Sequence, residues 1–141
     1  MNICTKMIDL MPIIYPKFYT CHDASKNELV FLDIGESKIL NIDVLDKTQC
    51  EALVNHYHLF EKMGERNYEK IIEIGRAIAN NLYDSLLRSF PSKLFVIYLE
   101  VSTKNSTILR FHQIWEGELP YFDMTQIYDD VEIFEIGGYN R

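Results

Sequence analysis

The most regular pattern in the chain is a stripe of apolar residues between Asn67 and Phe90. Its members recur at steps of three and four residues, whereas most charged side chains fall off the stripe. Asn67 is suited to cap the start of a helix, and Pro91 ends it because proline disfavours helical geometry at the preceding residue. We predict one long helix that packs on the core through Tyr68, Ile71, Ile72, Gly75, Ile78, Ala79, Leu82, Leu86 and Phe90.

A second helix is predicted from Asp46 to Met63. Either Asp46 or Thr48 caps its start, and Thr48 with Glu51 matches the capping-box pattern. Only residues 64–66 separate it from the long helix, so we expect the two helices to form an antiparallel pair. Its apolar face consists of Cys50, Leu53, Val54, Tyr57 and Phe60.

Alternating apolar and polar residues predict a first β-hairpin from Glu28 to Val44. Its turn is expected at residues 35–37, where Gly35 supplies the left-handed conformation of a short loop. Leu32 is predicted to face Leu40, because a slip by one residue would turn polar side chains into the core.

A second hairpin is predicted from Lys93 to Trp115. Aligning its apolar faces places Glu100 opposite Arg110 and Tyr98 opposite His112, and the opposite charges favour this register. Its apolar faces are formed by Phe95, Ile97, Leu99 and Val101 on one strand and by Leu109, Phe111 and Trp115 on the other.

The remaining stretches are less regular. Residues 1–27 are predicted to be irregular with a short strand at Phe18 to Cys21, and residues 116–130 to be irregular or briefly helical. Val131 to Ile136 is predicted as a last strand. We therefore expect a single α+β domain over residues 1–141, in the order ββ-αα-ββ-loop-β: a two-layer sandwich with the helix pair on one face of an antiparallel sheet.

Charge and cysteine content narrow the functional classes. The net charge of −7 works against binding bare nucleic acid or an anionic membrane surface, since both reward Lys and Arg. The chain has no apolar run of the ~20 residues that a membrane helix needs, and its N-terminus does not resemble a signal peptide. Its three scattered cysteines do not form a disulfide framework, so we expect a cytoplasmic protein with reduced thiols.

The negative charge is concentrated near the C-terminus. Residues 1–110 carry 14 acidic and 13 basic side chains, whereas residues 111–140 carry seven acidic side chains and no Lys or Arg. Seven aromatic residues are interleaved with these carboxylates. Rings of this kind anchor protein interfaces, and carboxylates steer a basic partner. The alternative is that the rings belong to the core and the carboxylates form a solvated rim.

The preferred hypothesis is a non-enzymatic protein-binding module that occludes a basic protein partner. An inhibitor or immunity protein for a toxin nuclease is its most concrete form, and small bacterial proteins of that kind share this size, acidity and α+β pattern. The predicted partner-binding residues are Trp115, Glu116, Glu118, Tyr121, Asp123, Tyr128, Asp129 and Asp130.

Two alternatives belong to other classes. A small enzyme would use Tyr98, Arg110 and His112 on an open face of the sheet, with His112 as acid or base and Arg110 holding an anionic substrate. A self-associating structural or regulatory protein would instead bury its exposed aromatic rings in a homodimer.

No cofactor or metal site is expected. Cys21, His22 and Asp23 are adjacent, and neighbours on a strand point to opposite faces, so they do not form a catalytic triad with one another. His56 and His58 lie two residues apart in the predicted second helix, where they would point in opposite directions. The glycines do not form a phosphate-binding pattern.

Overall fold

The structure, a computed structural model, describes residues 3–35, 43, 45–62 and 64–138, with side chains from residue 8 onward. In this part of the chain the helices are α1 (Ile3–Ile14), α2 (Lys47–Val54) and α3 (Tyr68–Ser89), and a 3-10 turn (Glu65–Asn67) leads into α3. The strands are β1 (Phe18–His22), β2 (Glu28–Leu32), β3 (His56–Phe60), β4 (Phe95–Val101), β5 (Thr107–Gln113) and β6 (Glu132–Gly137).

The strands form two antiparallel sheets. One has four strands in the order β3-β5-β4-β6, and the other consists of β1 and β2. Helix α3 lies on one face of the four-stranded sheet, which confirms the predicted α+β class with helix and sheet in separate layers. No helix among the described residues is long and apolar enough to cross a membrane.

Helix α3 is the long helix predicted from the apolar stripe. Its buried residues include Ile71, Ile78 and Leu82, all on the stripe, and they pack with the sheet in one core cluster. Gly75 allows close contact with β4, since an added Cβ would lie 2.8 Å from a methyl carbon of Leu99. The predicted cap by the Asn67 side chain is not formed.

The predicted helix from Asp46 to Met63 is wrong beyond Val54. Asp46 caps α2 as expected, since its Oδ1 accepts a hydrogen bond from the amide of Gln49 at 2.7 Å. Asn55 then leaves helical geometry, with φ −87° and ψ 57°, and β3 follows it to pair with β5. The expected helix pair is therefore absent from the described residues, and α1 packs beside α3 instead.

The capping box predicted for α2 is not formed either. Glu51 points into the core, where its side chain is fully buried. The hydroxyl of Thr48 donates to Glu118, which comes from a distant part of the chain, at 2.8 Å. Thr48 and Glu51 thus form hydrogen bonds with residues distant in sequence instead of the local capping box.

Helix α1 occupies a stretch that was predicted to be irregular because of Pro12. Leu10 and Ile13 are buried in the main core on either side of that proline. The side-chain amide of Asn81 donates to the terminal carbonyl of Ile14 at 2.8 Å. Burial and this cap stabilise the helix and offset the hydrogen bond that proline removes.

The two hairpin predictions have different outcomes. Strand β2 exists, but the predicted return strand lies largely outside the described residues, and β2 pairs with β1, where Leu32 faces Phe18. In the second hairpin the predicted faces are right except for Trp115, which lies beyond β5 and packs near Phe31 and Cys50. The register is wrong by two residues, because Arg110 faces Tyr98. Glu100 and Arg110 still form an ion pair, with Nε and Oε2 2.8 Å apart, on a diagonal of the ladder.

Asn55 connects the two sheets. Its Oδ1 accepts from the amide of Leu32 at 2.8 Å, and its Nδ2 donates to the carbonyl of Val30 at 2.9 Å. Its own carbonyl accepts from the amide of Phe111 in β5 at 3.1 Å. All of these groups are buried, so the outer edge of β2 has no access to water at this point.

We expect Asn55→Ala to lower the free energy of unfolding by about 2–4 kcal/mol, because it leaves a buried amide and a buried carbonyl of β2 without partners. The exposed Asn80 on α3 supplies the control, and Asn80→Ala should change stability by less than about 0.5 kcal/mol. Urea denaturation followed by circular dichroism measures both. Equal, small effects would show that Asn55 does not connect the sheets.

Candidate functional site

The segment between β5 and β6, residues 114–131, contains all eight residues predicted to bind a partner, and is called the connecting segment below. It runs across the face of the four-stranded sheet opposite α3. Tyr98, Arg110 and His112, which were expected on an open face, lie beneath it. The acidic aromatic stretch therefore has a structural role as the cover of this face.

Trp115 fixes the start of the connecting segment. Its indole N–H donates to Oε1 of Glu51 at 2.7 Å. The Lys47 ammonium lies 5.1 Å from the centroid of the indole ring. The ring also packs against the small core cluster that contains Phe31 and Cys50. Trp115 is thus half-buried, and much of its contact surface faces the protein itself.

Glu118 holds the connecting segment to the start of α2. Its carboxylate accepts from the amide of Thr48 at 2.7 Å and lies 2.8 Å from the ammonium of Lys47. Burial works to raise the pKa of Glu118, but these partners hold the pKa below its ordinary value. The carboxylate therefore stays ionised and satisfies free amides at the helix start.

Two rings of the connecting segment lie on the sheet. The Tyr121 ring stacks on the guanidinium of Arg110, with 4.8 Å from the guanidinium carbon to the ring centroid. Phe122 packs edge-on against Tyr98, with centroids 5.0 Å apart, and against Tyr128 at 5.4 Å. These contacts make a second, smaller aromatic layer on the face of the sheet opposite α3.

His112 is sealed under this layer and is fully buried. Its Nδ1 lies 2.7 Å from the carbonyl of Gln113, which only accepts, so Nδ1 carries the proton. Its Nε2 then accepts from the hydroxyl of Tyr98 and the amide of Tyr121, both at 3.3 Å. Desolvation lowers the pKa of His112, which favours this neutral tautomer.

The three side chains of the enzyme hypothesis do come together, but without access for a substrate. Tyr98 and His112 are both fully buried, and Arg110 is engaged by Glu100 and by the carbonyl of Ala52 at 2.8 Å. A substrate would have to displace Tyr121 and the rings beside it. The arrangement holds the connecting segment on the sheet.

The outer side of the connecting segment is open. It borders a groove of about 530 Å³ whose lining includes Tyr68, Met124, Ile127, Asp130 and Glu132. Ile127 is 97% exposed, the highest value among the large apolar residues described. The hydroxyl of Tyr68 donates to Glu132, and Lys104 bonds Asp130 at 2.8 Å, so these two carboxylates are positioned at the groove.

The other predicted residues lie in the same segment. Glu116 and Asp129 are exposed to solvent. Asp123 stabilises a tight turn, accepting from the amide and hydroxyl of Thr125 at 2.9 and 2.6 Å. Tyr128 reaches this turn, since the amide of Asp123 donates to its hydroxyl at 3.0 Å. Asp123, Tyr128, Asp129 and Asp130 therefore share one region, whereas Trp115 and Glu118 face α2.

The Cys21-His22-Asp23 sequence does not assemble a nucleophilic site. Cys21 packs against the small core cluster, and Nε2 of His22 lies 3.5 Å from a carboxylate oxygen of Glu28. Asp23 closes a loop by accepting from the amides of Ser25 and Asn27. Each residue thus has a separate structural contact.

Sequence reasoning missed Glu51, a fully buried carboxylate that accepts four hydrogen bonds. Each of its two carboxylate oxygens accepts two hydrogen bonds, and the donors belong to Val30, Gln113 and Trp115. Its position inside a helix start gave it a local interpretation as part of the capping box. A charged residue on the buried side of α2, next to Cys50 and Ala52, is the signal that could have revealed it.

Comparison with protein-family models, with curated protein sequences and with solved structures finds no match to this chain. Its function is therefore inferred from the site itself.

Stability should fall as the pH drops below about 6.5, because the folded state holds His112 neutral. The pKa of His112 is lower in the folded state than in the unfolded chain. The stabilisation from the neutral ring is therefore complete above the unfolded-state pKa and is lost as the pH falls below it. The loss approaches about 1.4 kcal/mol per pH unit until the folded-state pKa is reached.

The difference in unfolding free energy between the wild type and His112→Gln isolates this effect. It should shrink between pH 7.5 and 5.5, since the variant has no imidazole to protonate. Asn80→Ala, at an exposed position with no titratable group, is the control and should keep a constant difference from the wild type over this range. A constant difference for His112→Gln would contradict the buried neutral state.

Proposed function

We propose that this protein is a binding module that captures a basic protein partner at the groove beside the connecting segment. The observation that carries the proposal is the composition of the groove, which combines the highly exposed Ile127 with the carboxylates of Asp130 and Glu132. A free apolar side chain beside fixed carboxylates suits a partner surface that carries both an apolar residue and Lys or Arg.

Charge supports the same partner class. Residues 111–141 hold seven acidic side chains and one basic side chain, which accounts for six of the seven net negative charges. A field of this sign raises the association rate of a cationic protein and repels anionic ones. Asp123 and Asp129 add to the field at the groove because they lie on the same turn as Tyr128.

Occlusion is the mechanism that follows from this arrangement. A cationic surface that otherwise binds phosphates would be covered by the carboxylates, while Ile127 fills an apolar recess in the partner. A nuclease toxin is one such partner, and an inhibitor or immunity role is the specific form of the proposal. Trp115 and Glu118 contribute by holding the connecting segment on α2.

The test adds positive charge at two exposed positions beside the groove. Asp129 and Gln126 are both exposed, and Asp129→Lys with Gln126→Lys shifts the charge by three units. Glu118 is avoided because it caps α2, and Asp130 because its φ of 61° disfavours a long side chain. The matched control is Asp84→Lys with Asn80→Lys on α3, the same shift roughly 18 Å or more from Tyr68 along the helix.

Basic proteins captured from the source cell should bind the wild type and the control, and the groove variant should capture less than about one tenth as much. Capture should also weaken as salt rises, because exposed charges are screened. Equal capture by all three proteins would contradict the proposal. Concentration-dependent light scattering that the groove variant abolishes would instead indicate a homodimer through this surface.

A further inference from the structure

His56 and His58 share one face of strand β3. Side chains two residues apart on a strand point the same way. In the predicted helix the two histidines would have pointed in opposite directions, whereas in strand β3 they point to the same side. Both side chains are exposed, and their ring centroids lie 5.6 Å apart with the rings inclined at 69°. Strand β3 is an edge of the four-stranded sheet, paired with β5 alone.

The separation of the two rings matches a shared metal ion. A metal bound by an imidazole nitrogen lies roughly 3.2 Å from the ring centre, so two rings on a tetrahedral ion have centres about 5.2 Å apart. The observed 5.6 Å differs by an amount that a small side-chain rotation closes. The ring separation thus fits one shared ion once the side chains rotate to direct a nitrogen of each ring at it.

A hydrogen bond fixes the orientation of the His56 ring. Nδ1 of His56 lies 2.8 Å from the carbonyl of Leu53, the last turn of α2. Because a carbonyl only accepts, Nδ1 carries the proton and the lone pair of the neutral ring lies on Nε2. Metal-binding histidines in proteins are held in this way, with the second nitrogen donating to a carbonyl or carboxylate.

We propose that His56 and His58 form a two-histidine chelate for a borderline divalent transition metal, such as Ni²⁺ or Zn²⁺. Imidazole ligands favour such ions over Mg²⁺ and Ca²⁺, which prefer oxygen. Among the described residues no group of three or more His, Cys, Asp and Glu side chains surrounds a metal position. The ion therefore keeps open positions that water or another ligand fills.

The nearest register partner of His56 does not block this site. Arg110 faces His56 across the ladder, and its guanidinium is held by other partners. It bonds Glu100 and the carbonyl of Ala52, both at 2.8 Å, and stacks on Tyr121. Its charge is thus paired with the Glu100 carboxylate, and its bond to Ala52 lies next to Leu53, whose carbonyl holds His56.

Titration of the full chain with Ni²⁺ and with Zn²⁺ in a calorimeter tests the proposal. We expect one site for Zn²⁺ or Ni²⁺ and no heat with Mg²⁺. His56→Ala and His58→Ala should each weaken binding at least about tenfold, and the double variant should lose it. All these variants keep the fold, since both side chains are exposed, and circular dichroism checks this.

His22→Ala is the matched control, because His22 is also an exposed strand histidine, and it should bind Ni²⁺ as the wild type does. Nitrogen-detected spectra of the imidazoles add a second measurement: Ni²⁺ or Zn²⁺ should perturb Nε2 of His56 while Nδ1 remains protonated. Binding that survives in the double variant, or a wild type that binds neither ion below about 1 mM, would overturn the proposal.

Discussion

The buried carboxylate of Glu51 connects the parts of this fold that are far apart in sequence. One oxygen accepts from the amide of Gln113 and the indole of Trp115, at 2.9 and 2.7 Å. The other accepts from the amide of Val30 and the side-chain amide of Gln113, both at 2.8 Å. Helix α2, the β1–β2 sheet, strand β5 and the connecting segment thus meet at one carboxyl group. Burial raises the pKa of Glu51, and the four donors oppose this by favouring the ionised form.

The proposed binding surface depends on this junction. Glu51 positions Trp115, Glu118 holds the next turn to α2, and the connecting segment then crosses the sheet over His112. Because Trp115 and Glu118 face inward, Ile127 and the carboxylates around it face outward. The acidic aromatic stretch therefore divides into an inner side that covers the sheet and an outer side that is exposed to solvent.

How much of this could be predicted from sequence depends on the range of the interactions. The stripe of α3 and the faces of β4 and β5 reflect local periodicity, and they were predicted correctly. Strand β3 was missed because Tyr57 and Phe60 also fit helical spacing. The strand is favoured over the helix by the hydrogen bonds of Asn55 and by pairing with β5, which is distant in sequence. The covered face was missed because residues 116–130 have no periodic pattern to indicate where they lie. For the same reason the pairing of His56 with His58 became visible only in the structure.

The most direct measurement is the unfolding free energy of Glu51→Gln, with Glu61→Gln at an exposed position as its control. In either orientation the NH₂ group of the new glutamine side chain would face two existing N–H donors. The side-chain amide of Gln113 cannot flip to accept from it without losing its own hydrogen bond to the carbonyl of Glu28. We predict a loss of at least about 2 kcal/mol, together with faster hydrogen exchange at the Trp115 indole and the Val30 amide. A variant as stable as the wild type, with both protons still protected, would contradict the central role of this carboxylate.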